Sequence, residues 1–407
     1  MSKSQDPAKR VNAVGSRRPT RVLCIEVNED GTVGGSHQAL YDLVKGMDRE
    51  RFEPVVLFYQ DNVFASRLRA LGVEVHTFER ERERELALRL RGSKPAKALD
   101  VLVGAVWRRV RFLRSHSIGL VHLNNSPVLG HDDWLPAARL AGIPCIVSVM
   151  SVAPEEVGPV QRMLMRRFDV VIPVSRYIRD DWAAAGVPSE RMRIVHHGVD
   201  VEAFRARVAR TPQAVREELG VRPGQVLGVM VGNVRWWKGQ HVVLEALRLL
   251  GEDVQGRLFT VFAGAAGGGD QDYLDSLEQL VGQYDLGKRV AFLGPRDDVP
   301  DLLNAADVAL HASVVAEPGG IAVLEAMTVG TPVIAAEVGG HAEVLTSEAG
   351  LTFDTSKPEA LAAHLSRLVA DEELRLRMGA RGRVRMEGFT MERNVRETQE
   401  VYEDVLA

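Results

Sequence analysis

Short apolar runs alternate with helix-length amphipathic stretches along most of the chain. Strand-like runs fall at Arg21–Val27, Pro54–Tyr59, Val73–Phe78, Leu120–Leu123, Cys145–Val149 and Val170–Val174. They return at Val226–Val231, Leu258–Ala263, Val290–Leu293, Val308–His311 and Pro332–Ala335. Between them the spacing predicts helices at Ser36–Met47, Leu99–Ser115, Gln240–Leu250, Asp270–Tyr284, Asp298–Ala305, Gly320–Thr328 and Glu359–Ala370, with a last one near Met391–Leu406. Parallel strands need a crossover, so repeated βα units imply parallel sheets with helices on both faces. Two such series predict an α/β chain of two doubly wound, Rossmann-like domains, residues 19–198 and 199–390. They part at the turn-forming His196-His-Gly-Val-Asp200. The polar residues 1–18 read as a disordered tail, and the terminal helix, 391–407, is expected to pack back on the first domain.

Length agrees with that division: 407 residues exceed one ordinary core at roughly 150 residues per domain. Hydrophobic content of 45% and charged content of 26% are those of a soluble globular chain. No apolar run approaches the roughly 18 residues of a membrane helix, and the N-terminus lacks the apolar stretch of a secretory signal. Cys24 and Cys145 lie inside strand-like runs and cannot make a disulfide framework or a zinc site. A cytoplasmic protein is expected.

Charge divides the halves more sharply. Residues 1–198 hold 30 Lys and Arg against 23 Asp and Glu, and the remainder 21 against 32. The net charges are thus +7 and −11. In Leu99–Ser115, Leu102, Val106, Val110 and Leu113 form an apolar face, while Arg108, Arg111 and Arg114, with Arg109 beside them, fall elsewhere. Arg162, Arg166 and Arg167 form a second basic cluster. Two readings stay open: a surface that docks on anionic lipid at the inner face of the membrane, each residue contributing about 1 kcal/mol, or a solvated helix face. Nucleic acid is not the expected partner, because interleaved aromatics and recognised modules are lacking.

The sharpest motif is Glu317-Pro-Gly-Gly-Ile-Ala-Val-Leu-Glu325, after the run Val308–His311. Gly319 and Gly320 let backbone approach a ligand, and a helix opening near Ile321 presents unpaired N–H groups and a positive dipole end. Glu317 on the loop and Glu325 two turns into the helix are able to reach different parts of one ligand. Gly232-Asn-Val-Arg-Trp-Trp-Lys-Gly239 follows the strand Val226–Val231 and places Arg235 and Lys238 at a strand's carboxyl end, where doubly wound sheets bind ligands. Two cations there suit a diphosphate; two solvated loop cations are the competing reading. Gly31-Thr-Val-Gly-Gly-Ser-His37, after the first strand, reads equally as a tight turn or a phosphate contact. Gly264-Ala-Ala-Gly-Gly-Gly269 reads as a loop.

Together these segments resemble the retaining glycosyltransferases of family 4, which share the two-domain GT-B fold. The resemblance runs from Arg21 to the final helix. It is strongest in Glu317–Glu325, Gly330-Thr-Pro-Val and Gly339-Gly-His-Ala-Glu343, and is supported by Val195–Asp200, Val290-Ala-Phe-Leu-Gly294 and Asn304-Ala-Ala-Asp-Val308. It implies a nucleotide-sugar donor on the second domain and a glycan, lipid-linked or small-molecule acceptor mainly on the first. Glu325 would hold the ribose hydroxyls, and Glu317 the donor sugar, with the N–H groups of Gly320 and Ile321 nearby. Lys238 and Arg235 would hold the diphosphate, while Gly34 and Gly35 close over it. The base would rest on backbone from Val290 through Phe292 to Leu293.

The resemblance also implies no cofactor and no metal, in keeping with the absence of a D-x-D motif beside the donor segments. Two positions depart from the family pattern. Asn233 stands where an arginine is usual, with Arg235 two residues on as its replacement, and Met150 where many members carry a histidine. His131 and Asp132, in another loop of the first domain, are read as compensating residues or as a plain polar loop. The alternatives to a transferase are a nucleotide-sugar epimerase of similar architecture and a nucleotide-binding protein without catalysis.

Overall fold

The computed structural model describes residues 18–28, 34–78, 94–125, 134–154, 157–267 and 269–407. Among these described residues twelve strands form two parallel sheets. The first holds β1 (Thr20–Glu26), β2 (Phe52–Phe58), β3 (Glu74–Thr77), β4 (Ile118–Asn125), β5 (Cys145–Val149) and β6 (Val170–Pro173), in the order β3-β2-β1-β4-β5-β6. The second holds β7 (Val226–Val231), β8 (Leu258–Ala263), β9 (Val290–Gly294), β10 (Val308–His311), β11 (Val333–Ala336) and β12 (Gly350–Phe353), in the order β12-β11-β10-β7-β8-β9. Each sheet reverses direction beside its first strand, so the crevices open at the carboxyl ends of β1 and β4, and of β7 and β10. The eleven strand-like runs all became strands. Gly350-Leu-Thr-Phe353 is the one strand not anticipated, being short and interrupted by a threonine.

The alternation of strand side chains builds a core on each face of each sheet. In β1 and β2, Leu23, Ile25, Val55 and Leu57 join one cluster, while Val22, Cys24, Val56 and Phe58 join the other. Leu227 and Val229 of β7 pack on one side of the second sheet, Val226 and Met230 on the opposite side. Apolar on both faces, the strands read in sequence as unbroken runs.

The chain crosses between domains twice, and the crossings pair. Val195 belongs to the first domain's core and Val199 to the second's. On the way back, Phe389 is in the second core while Met391 packs on the first. Val199 N–H donates to Phe389 O and Met391 N–H to Val199 O, both at 3.0 Å. The terminal helix Met391–Leu406 then lies on the first domain against the helix Gly35–Gly46, burying Val395, Val401 and Tyr402. Tyr402 Oη meets His122 Nδ1 at 2.7 Å, and His122 Nε2 meets Ser148 Oγ at 2.8 Å. Burial pushes His122 down to about 3, so the imidazole is neutral and works as one donor and one acceptor.

Arg109 departs from the expected basic face. It is fully buried, with its guanidinium over the rings of Phe78 and Trp134 at 4.7 and 5.0 Å. The aromatic pocket takes the cation by its ring faces, so Arg109 serves packing rather than surface charge. Arg108, Arg111 and Arg114 are exposed, as are Trp107 and Val103 on the same helix.

Candidate active site

The site on the second domain gathers at the β7/β10 reversal. Lys238 follows β7 on a short 3-10 turn, Trp236–Lys238, and lies over the ring of Trp237 at 4.5 Å. Its Nζ is 2.8 Å from Glu317 Oε2. The other carboxylate oxygen, Oε1, takes the Ser313 hydroxyl and lies 2.9 Å from His311 Nε2, at the end of β10. Burial opposes charge on Glu317, but His311 and Lys238 outweigh it and hold the carboxyl well below the usual range. Glu317 therefore stays anionic at any working pH and accepts hydrogen bonds; it has no proton to give.

Beneath this carboxylate His341 is fully buried. Its ring centroid is 4.3 Å from that of His311, and Nε2 meets the Ala336 carbonyl at 2.7 Å. Burial and the neighbouring His311 push it down to about 4. Gly320 caps the helix Ile321–Val329 at φ 60°, and a Cβ there would lie 2.4 Å from His341 Cβ. Both the left-handed backbone and the close ring require glycine. In the first helical turn the N–H groups of Ile321 and Ala322 have no intrahelical acceptor, while Val323 and Leu324 donate to the Gly320 carbonyl at 2.9 and 3.4 Å. They stand beside Gly319, whose backbone meets His197 from the inter-domain crossing: a Cβ there would come within 2.3 Å of that ring.

Glu325 is half-buried on the same helix and has no hydrogen bond or ion pair among the described residues. Burial pushes it up to about 7, partly offset by Arg207. Arg207 itself donates to the Asp297 carbonyl, after β9, at 3.2 Å. A carboxylate raised above its ordinary 4.5 stabilises least when ionised, so this contribution is intact below pH 4.5 and lost as pH rises through 7. Glu325→Gln is therefore expected to raise the stability of the free protein at pH 8 by roughly 1–3 kcal/mol. The gain should vanish near pH 4, as read from urea midpoints at the two pH values.

The remaining residues divide. Gly35 faces the second domain, since a Cβ there would lie 3.4 Å from Ile321 Cδ1, whereas Gly34 is exposed just before it. Asn233 is exposed, and its carbonyl accepts from Gln240 at 3.0 Å. Arg235 pairs with Asp270, with Nε 3.4 Å from Oδ2, whereas Lys238 pairs with Glu317. Asp270-Gln-Asp272 is, moreover, a D-x-D triplet beside the site, against the sequence expectation. Asp270 is engaged by Arg235, and Asp272 lies in the first turn of a helix.

Val290 is misplaced for a base contact. It opens β9 at the far edge and is 7% exposed in the core, about 13 Å of strand from Gly294 at the crevice end. Phe292 stacks on Phe262 at 5.0 Å. Only the Leu293–Gly294 end of that run reaches the crevice edge.

Across the crevice, sequence reasoning passed over Glu26. It ends β1, fully buried, and accepts from Asn124 Nδ2 at 2.6 Å, Ser36 Oγ at 3.2 Å and Asn28 N at 3.3 Å. Burial pushes it up to about 7 against these hydrogen bonds. Its only sequence signal was a charge ending an apolar strand. His197, passed over as part of a turn, lines with Asn124, Ser148, Met150 and Asn394 a cavity of about 20 Å³ between the first sheet and the terminal helix. Burial, then His196, pushes it down to about 4. Glu343 holds the domains together, taking Tyr177 N–H at 2.7 Å and His196 Nε2 at 3.2 Å. His131 and Asp132 lie outside the described residues, as do Gly31–Val33 and the tail to residue 17.

Two family models match in succession: Glycosyltransferase Family 4 over residues 33–203 and Glycosyl transferases group 1 over residues 213–385. A GDP-mannose-dependent alpha-(1-6)-phosphatidylinositol monomannoside mannosyltransferase of Mycobacterium tuberculosis is 33% identical over 308 residues, 71% of this chain and 75% of that protein. The chain belongs to the family 4 glycosyltransferases. A D-inositol 3-phosphate glycosyltransferase of Corynebacterium glutamicum is 30% identical over 221 residues, 54% of this chain and 53% of that protein. The chain thus spans about half the length of the first curated relatives it matches, 51% to 53%. Among solved structures, Anabaena Alr3699/HepE in complex with UDP has a TM-score of 0.78 at 23% identity, covering 95% of this chain and 100% of that one. A glycosyltransferase from Rickettsia africae reaches 0.80 at 16%, covering 96% and 99%. At such identities the likeness establishes the fold, GT-B.

Proposed function

We propose that this family 4 chain is a retaining glycosyltransferase that moves a hexose-type sugar from a nucleotide-diphosphate sugar to an acceptor, without a metal. The observation that carries this reading is one crevice edge. A half-buried cation, Lys238, the anionic Glu317, a helix N-terminus and the unpartnered Glu325 converge there opposite Gly35 of the other domain. Lys238 and the free N–H groups suit a diphosphate, Glu317 suits sugar hydroxyls, and Glu325 suits a ribose diol.

In the reaction the bond from the anomeric carbon to the diphosphate oxygen breaks as the acceptor oxygen bonds that carbon on the same face. The acceptor's proton passes to the leaving phosphate. Charge builds on that phosphate, where preorganised Lys238 and helix-end N–H groups stabilise it most. Glu317 is committed to Lys238 and His311 and is no free nucleophile.

The acceptor is argued from charge. Three relatives carry D-inositol 3-phosphate, phosphatidylinositol monomannoside and L-malate in their names, all anionic molecules. An anionic acceptor suits the +7 half. Incubation with nucleotide sugars and these acceptors tests the reading. Release of nucleoside diphosphate that requires an acceptor, persists in EDTA and yields product of unchanged anomeric configuration is expected. Donor turnover without acceptor, or an inverted product, rejects it.

A peripheral, cytoplasmic-face location has its own support. Among the described residues no helix is long and apolar enough to cross a membrane. Trp107 and Met163 are exposed beside Arg108, Arg111, Arg162 and Arg166. Sedimentation with anionic vesicles at low salt is expected, and it should weaken severalfold in Trp107→Ala. Equal sedimentation with neutral vesicles excludes the docking.

A further inference from the structure

At the outer edge of the first domain, away from the crevice, Glu74 and His76 of β3 meet His116, just past the helix Lys94–Ser115. Glu74 Oε1 is 2.7 Å from His76 Nε2 and 3.8 Å from His116 Nε2. The three ligand atoms lie within 4.8 Å of one another, the only such cluster among the described residues. We propose that Glu74, His76 and His116 form a zinc site with three protein ligands and one open position.

Two of the three ligands, His116 and Glu74, are already oriented by partners outside the cluster, as metal ligands generally are. His116 Nδ1 is 2.9 Å from the Phe112 carbonyl, which as an acceptor holds the proton on Nδ1 and turns the Nε2 lone pair toward Glu74. Its ring stacks on Phe112 at 4.0 Å, and the His76 ring stands edge-on to both at 5.1 and 4.9 Å. Glu74 Oε2 is taken by Arg21, which leaves Oε1 as the single oxygen facing the imidazoles. Arg21 is itself balanced by Glu53 at 3.3 Å and donates to the His116 carbonyl at 2.6 Å.

A tetrahedral ion with bonds near 2.0–2.1 Å needs its ligands about 3.3 Å apart. The observed 2.7 and 3.8 Å from Glu74 bracket that spacing and the two imidazole ligand atoms lie within 4.8 Å of each other, so side-chain adjustments on the order of an ångström complete the site. The His76 proton that faces Glu74 moves to Nδ1 when the ion binds. Two imidazoles and one carboxylate are a zinc-class donor set, and the partly exposed side chains leave a path for entry and room for a water. The end of a helix also favours a cation. The ion would tie an edge strand to the foot of the basic helix, independently of the transfer reaction.

Zinc alone is the probe. The full chain, stripped with a chelator, given excess zinc and desalted, should retain one ion per molecule by metal analysis. Retention should be lost in the His76→Ala/His116→Ala double variant, and Glu74→Gln should lower affinity at least tenfold in competition with a chromophoric chelator. The metal-free variants should keep the wild-type circular dichroism, which separates lost ligation from lost folding. With cobalt in place of zinc, the wild type should show the intense visible bands of four-coordinate metal. No ion retained by the wild type, or one ion still retained by the double variant, overturns the proposal.

Discussion

Lys238→Ala should lower kcat/KM for the donor by about 10²–10³-fold, because it removes a preorganised donor aimed at developing phosphate charge. Arg235 does not replace it, being held by Asp270. The same substitution strips Glu317 of its ion-pair partner at a place where both side chains are nearly covered, 17% and 14% exposed. Breaking a buried pair from one side costs about 3–5 kcal/mol in general, because the other charge stays buried; here His311 and Ser313 remain to share it. Lys238→Ala is therefore expected to lose stability as well, and the double variant Lys238→Ala/Glu317→Gln to recover most of it without recovering turnover. Steady-state rates and urea midpoints for the three proteins check this. A single variant with undiminished kcat/KM excludes Lys238 from the reaction.

Tyr402→Ala should destabilise the protein by about 3–5 kcal/mol, the ordinary cost of emptying a buried aromatic site. Tyr402 is fully buried and packs edge-on against Phe52 at 5.3 Å. Its hydroxyl is the partner of His122 Nδ1, which water cannot replace inside the core. Tyr402→Phe removes only the hydroxyl, with its bond to His122 and its contact with the Cys24 thiol, and should cost about 1–3 kcal/mol. The loss falls on the joint between the terminal helix and the first domain. Proteolysis is thus expected to release fragments from residues 391–407 before it degrades the second domain, and wild-type resistance in Tyr402→Ala would show that the helix is held elsewhere.

What was legible in the chain follows from how local each signal was. Strands buried on both faces announce themselves as apolar runs, and a glycine pair before a helix announces an anion cradle. The places of Glu317, Lys238 and Gly320, each within a segment or two of its own strand, were legible for this reason; the roles proposed for them are tested by the substitutions above. Arg109 was misread because helical spacing shows which side a residue takes but not that Phe78 and Trp134 wait there. Val290 was misread because a motif marks a strand without saying which end of it meets the crevice.

Net charge was equally blind to place. The −11 half holds the site proposed for an anionic donor, since one sheltered lysine and a helix end outweigh distant, solvated acids.

By itself the sequence determined two series of βα units that wind into two parallel sheets, and the motif that opens the helix at Ile321. These rest on periodicity and backbone chemistry, which act over a few residues. Only the tertiary structure decided that His311 and His341 lie beneath Glu317, that Glu26 is clasped at the opposing edge, and that Glu74 and His76 meet His116. It also set Tyr402 against His122, 280 residues away in the chain. Such meetings depend on which strand ends share an edge and where a helix returns, and the crossover order of the sheets sets both. No single segment carries that information, because packing of whole elements selects it.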